Sequence, residues 1–77
     1  MYRWHVKLLL NNGVTVKGIF DSTHRYLYDA IAELFNSGFN FRMMSAYRNG
    51  SHFISIGFSS NDVSAFWLSR EPFNDKE

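Results

Sequence analysis

The sequence predicts an α+β fold: an antiparallel sheet of four to five strands with one helix packed on one face, in the order β-β-α-β-β with a further strand to follow. Three observations predict it. Two pairs of strand-like runs flank Asn-Gly turns, at Asn11-Asn12-Gly13 and at Asn49-Gly50. Between the pairs lies one stretch with apolar residues at helical spacing, closed by Gly38. The only proline, Pro72, follows the last apolar run and marks the end of the fold.

The first pair, Arg3 to Leu10 and Val14 to Asp21, reads as a hairpin. A two-residue Asn-Gly turn would set Leu8 against Lys17 and Trp4 against Asp21. A three-residue loop with Gly13 left-handed sets Leu10 against Val14, Leu8 against Val16, Val6 against Gly18 and Trp4 against Phe20. One face is then continuously apolar, and that is what specifies register. The helix is expected from about Arg25 to Ser37. Leu27, Ala30, Ile31, Leu34 and Phe35 form its apolar stripe, and Asp29, Glu33 and Asn36 its solvent side. Asp21, Ser22 and Thr23 are competent N-caps, and Gly38 suits the left-handed position after the helix.

The second hairpin runs Phe39 to Arg48 and Ser51 to Phe58. A two-residue turn at Asn49-Gly50 pairs Phe41 with Phe58, Met43 with Ile56 and Ser45 with Ile54. Ser59 to Asp62 is a polar break, and Val63 to Leu68 reads as a fifth strand at a sheet edge, in its own subunit or swapped into a neighbour's. Residues 1–70 are expected to form one domain, and residues 71–77 a flexible acidic tail. Gly18 and Gly57 lie within strand-like runs, where a bulge or close packing is the usual reason for glycine.

Composition bounds what such a domain can be. Seventy-seven residues bury a limited core, and without cysteine neither disulfides nor thiolate metal clusters supplement it. A reducing, cytoplasmic setting is the expectation. Met1 to Lys7 breaks any apolar run with charge, so no secretory leader is expected, and Leu8-Leu9-Leu10 is far too short to span a bilayer. The tail holds three carboxylates and one lysine, so residues 1–70 carry +3 of a net charge of +1. Aromatic residues make up 18% of the chain, more than so small a core needs.

One helix of this length is about 20 Å long and covers one face of the sheet. Trp4, Val6, Leu8, Leu10, Val14, Val16, Phe20, Phe41, Met43, Ile54, Ile56 and Phe58 line that face. The opposite face carries His5, Lys7, Leu9, Thr15, Lys17 and Ile19 from the first hairpin, and Arg42, Met44, Ala46, Phe53 and Ser55 from the second. It is too apolar for plain solvated surface and too basic for core. Lys7 and Lys17 lie opposite each other there, at a cost that a bound anion or an acidic partner would offset. Two long side chains splaying into water are the plainer account.

Catalytic and metal chemistry find little support. His5, His24 and His52 have no ligand spacing and no cysteine or acidic cluster beside them, so neither metal nor cofactor is expected. Asp29 and Glu33, four apart on the helix, are more simply a solvated face than a general acid and base. No serine sits in a Gly-x-Ser-x-Gly elbow, and no glycine-rich loop is available to hold a phosphate.

Two resemblances bear on function. Val6 to Gly18, running strand, Asn-Gly turn, strand and glycine, resembles the first motif of Sm-like RNA-binding proteins. In those proteins a helix precedes the hairpin, whereas here one follows it. The whole chain, in size, lack of cysteine and element order, resembles small, mostly uncharacterised proteins encoded by phages and prophages of Gram-positive bacteria. That group includes dimeric inhibitors of host enzymes, among them uracil-DNA glycosylase inhibitors. Those inhibitors tend to be acidic, whereas this body is mildly basic, and no functional residue is carried over from either group.

The reading is a non-catalytic protein-interaction module, not an enzyme, acting as a homodimer and modulating a host protein. Its partner or self interface is expected at Leu9, Ile19, Met44 and Phe53, because large apolar residues on a sheet face mark contact surfaces. The alternative is a single-stranded nucleic-acid binder using Lys7, Lys17, Arg42 and Phe53, cations to hold phosphates and a ring to stack a base. No membrane partner is expected.

Overall fold

The computed structural model describes residues 1–47 and 50–73, with the backbone alone for 44–47 and 50–56. Five strands and a helix follow in the predicted order: β1 (Tyr2–Leu10), β2 (Thr15–Ser22), α1 (Leu27–Asn36), β3 (Phe41–Tyr47), β4 (Gly50–Ile56) and β5 (Val63–Ser69), the last preceded by a 3₁₀ turn at Ser60–Asp62. The strands form one antiparallel sheet in the order β4-β3-β2-β1-β5. β5 pairs with β1 of its own chain, which settles its place at an edge.

The first hairpin takes the three-residue loop. Trp4 pairs with Phe20, Val6 with Gly18, Lys7 with Lys17 and Leu8 with Val16. Gly13 N–H donates to the Leu10 carbonyl at 2.9 Å, closing a turn, and Gly13 is left-handed at φ 87°. Asn11 then fastens this loop to the end of the fold. Its Nδ2 donates to the Asn61 carbonyl and its Oδ1 accepts from Ser64 Oγ, both at 2.5 Å, while its N–H donates to the Asp62 carbonyl at 3.0 Å.

The second hairpin departs from expectation by two residues. Phe41 pairs with Ile56, Met43 with Ile54, Ser45 with His52 and Tyr47 with Gly50. Gly50 therefore opens β4, and the connecting Arg48 and Asn49 lie outside the described residues. A slide of two keeps every side chain on its face, because the alternation has period two. Phe58 leaves the ladder altogether. Its N–H donates to the Gly38 carbonyl at 3.0 Å and its ring stacks on Phe41, centroids 5.9 Å apart. Gly57 lies just beyond β4 rather than within it.

The helix starts two residues later than predicted, and none of the three expected caps serves it. Tyr26 is the N-cap and makes no side-chain cap bond. Ser22 is instead the last residue of β2, fully buried, and its Oγ accepts from His24 N–H at 2.9 Å and donates to Glu33. Glu33 thus turns back toward the sheet instead of lying on the solvent side. The C-terminus closes as predicted at Gly38 (φ 69°): Gly38 N–H donates to the Phe35 carbonyl and Phe39 N–H to the Leu34 carbonyl, the paired bonds of a Schellman motif.

The core lies between α1 and one face of the sheet. Trp4, Val6, Leu8, Phe20, Ala30, Leu34, Phe39 and Phe41 are buried, with Leu10, Val16, Phe58, Val63, Phe66 and Leu68 packed around them. Phe39, expected to open a strand, is the largest fully buried side chain, held at φ 60°. Val14, expected in the apolar face, is 53% exposed beside its turn. The side chains of Ile54 and Ile56 lie outside the described residues, as do Asn74 to Glu77 of the expected acidic tail. Among the described residues, no helix is long and apolar enough to cross a membrane.

Candidate functional site

The face of the sheet away from α1 takes its side chains from the alternate positions of each strand. In register, Arg3 lies beside Asp21, His5 between Ile19 and Ser69, Lys7 between Lys17 and Trp67, and Leu9 between Thr15 and Ala65. Arg42 lies beside Ile19 from β3. This one face thus gathers Lys7, Lys17 and Arg42, the three cations expected to hold an anion.

Its electrostatics are lopsided. Among the described residues, Arg3, Lys7, Lys17 and Arg42 share the face with one carboxylate, Asp21. Asp21 pairs with both arginines: Arg3 Nε is 3.5 Å from Oδ1, and Arg42 donates to Oδ2. Lys7 turns to Trp67, its Nζ 4.9 Å from the ring centroid. The like-charge pair predicted at Lys7 and Lys17 is therefore answered within the chain by an indole face, worth about 0.5–1 kcal/mol at an exposed site. Burial, and to a lesser degree the Arg3 charge, lowers the pKa of His5 below 6.5, so the neutral imidazole is favoured at the centre of the face.

The expected interface residues fare differently. Ile19 is only 4% exposed, flanked in register by His5 and Arg42, so it offers a partner almost no surface. Its burial sets it apart from Leu9 among the expected contact residues. Leu9 is half-buried. Met44 and Phe53 lie opposite each other in the ladder, and their side chains lie outside the described residues.

Among the described residues, large apolar side chains are also exposed on β5 and α1. Trp67 is 43% exposed on β5, Phe35 43%, Leu27 41% and Tyr28 84% on α1. Phe35 meets Phe66 of β5 edge-on at 5.1 Å, so helix and edge strand share one apolar rim. Sequence reasoning missed Trp67 because nothing local in Val63 to Leu68 says that β5 joins β1.

Ser22, Glu33 and His24 assemble without being sought. Glu33 Oε2 accepts from Ser22 Oγ and lies 3.8 Å from His24 Nε2. The order is wrong for nucleophilic catalysis, since the carboxylate and not the imidazole meets the hydroxyl, and Ser22 is fully buried. The trio is a clasp between β2 and α1. An open hollow of about 350 Å³ borders it, lined by His24, Asp29, Ala32, Glu33 and Asn36. Among the described residues, no three His, Asp or Glu side chains converge as metal ligands would.

Compared with known proteins, the chain matches no family model, no curated protein and no solved structure.

Proposed function

We propose that this chain is a non-catalytic protein-interaction module, acting as a homodimer, whose open sheet face receives an acidic surface of a partner protein. One observation carries the reading: among the described residues, Arg3, Lys7, Lys17 and Arg42 spread over one face that holds one carboxylate, Asp21, with Trp67 exposed among them. Such a field steers an acidic partner, and an exposed indole among cations suits an interface core. The size and element order shared with phage-encoded modulators support a role in modulating a host protein.

A second reading has its own observation. The Lys7 ammonium over the Trp67 ring puts a cation and a stacking surface side by side, as single-strand nucleic-acid binders do. Fluorescence anisotropy with labelled poly-glutamate, oligo-dT and oligo-U over a salt series tests both. Poly-glutamate binding that weakens in Lys7→Ala and Lys17→Ala supports the protein-partner reading. Oligonucleotide binding at least about tenfold tighter, and lost in Trp67→Ala, transfers the face to nucleic acid. No binding to any probe at low salt overturns both.

A further inference from the structure

We infer that the outer edge of β5 pairs with β5 of a second copy of this chain, antiparallel about a two-fold axis at Phe66, joining two sheets into one. This rests on the homodimer in the proposed function and gives it a location, one the sequence did not suggest.

The strand itself supplies the argument. Edge strands are normally blunted by charge, proline, a bulge or brevity; the one register shift of β5 against β1 falls at its start, between Ala65 and Val63, and leaves Phe66 to Ser69 in regular ladder. β5 has seven residues, Val-Ser-Ala-Phe-Trp-Leu-Ser, with no charge and no proline, and stands at the end of the sheet. Two copies therefore meet there without a like-charge pair, although the face behind them is basic. The strand is also self-complementary in size. A two-fold axis at Phe66 sets Trp67 opposite Ala65 of the second copy and Leu68 opposite Ser64, large against small in each case. Phe66 then meets Phe66 on the helix side, where the exposed Phe35 already abuts it. An antiparallel pair of identical strands is isologous and closes at two copies.

The area is adequate and no more. Seven residues at about 3.3 Å each give an edge some 23 Å long. The thinnest dimension of the molecule is 22 Å. The footprint is then roughly 500 Å² per copy, about 1,000 Å² in all, at the floor for a specific interface. The dimer should accordingly dissociate in the micromolar range.

Sedimentation equilibrium tests the assignment, with circular dichroism confirming the fold of each variant. Wild type should approach twice its 9.0 kDa by about 200 µM. Two double variants, Ala65→Glu with Trp67→Glu and Ala65→Lys with Trp67→Lys, each set like charges against each other twice across the axis. Each alone should associate at least about tenfold more weakly, and mixing the two should restore the dimer. A wild type that stays at 9.0 kDa overturns the proposal. So does a dimer that survives in both variants, which would place the interface on another surface. Poly-glutamate binding is read separately, so a monomer that still binds it defeats the edge pairing and leaves the partner-binding face standing.

Discussion

Gly18→Ala probes the tightest point of the fold. A Cβ there would sit 2.5 and 2.6 Å from two Phe41 ring carbons, and it would also collide with the Arg42 carbonyl oxygen. Ordinary contact begins near 3.4 Å, so the ring must retreat by about 1 Å. It has little room, being 3% exposed and stacked on Phe58. The carbonyl is worse placed, because it belongs to backbone. β2 meets β3 through Gly18 with Met43 and Ile19 with Arg42, and moving Arg42 loosens both pairs. Overpacking of this kind costs about 1–3 kcal/mol, and strain on the ladder adds about 1–2. Alanine regains about 0.5–1 kcal/mol of backbone entropy. The net loss is about 1–4 kcal/mol, which lowers Tm by roughly 5–30 °C in a domain of this size. Thermal unfolding followed by circular dichroism measures it. Gly57→Ala is the control, since a Cβ there meets nothing within 4 Å, and it should leave Tm within about 3 °C. A Gly18→Ala Tm within the same margin would refute the close approach of Phe41.

Three further outcomes are expected. Ser22→Ala removes a buried hydroxyl that serves both His24 N–H and Glu33, and should cost about 1–3 kcal/mol in denaturant unfolding, with Thr23→Ala, exposed, as the neutral comparison. The lowered pKa of His5 means that the unfolded chain binds the extra proton first, so stability is full above 6.5 and is lost as pH falls through 6.5 toward the folded value. Wild type should therefore lose more stability than His5→Gln between about pH 7.5 and 5.5 in matched titrations, and parallel curves would contradict this. Trp67→Ala takes the ring from Lys7, and beyond the lost packing the cost should include a salt-sensitive part of about 0.5–1 kcal/mol at low salt that shrinks on adding about 1 M NaCl.

How much of this was legible in the sequence depended on whether a local pattern had one solution. The first hairpin did. A one-residue error would have set Leu8 against Lys17, and only the three-residue loop left one face apolar. The second did not, because a slide of two preserves the alternation, and nothing nearby says that Phe58 bonds back to Gly38 instead of extending the ladder. Phe39 was readable and misread. An apolar residue directly after a left-handed glycine is the hydrophobic contact of a Schellman motif, yet its place before a strand-like run made it look like strand. The candidate face was half legible. Alternation grouped Lys7, Lys17 and Arg42 correctly, but the burial of Ile19 and the arrival of Trp67 depend on strands far apart in sequence, where periodicity carries no information.

The two faces and the uncharged edge at β5 follow from a single shortage of cover. One helix buries one side of the sheet, and the other side must meet water without becoming adhesive. Cations solve that: their aliphatic stems lie over apolar neighbours while their charges stay wet, and Ile19 at 4% exposure beside Arg42 fits this arrangement. The same charges are what the proposed acidic partner would meet. β5 receives neither protection. The strand itself carries no charged residue, and α1 leaves Phe35 and Phe66 at its rim. Among the described residues, four cations guard one face and a neutral strand stands at the edge, and the two proposed contacts divide accordingly: the proposed unlike partner belongs to the charged face and the proposed second copy to β5.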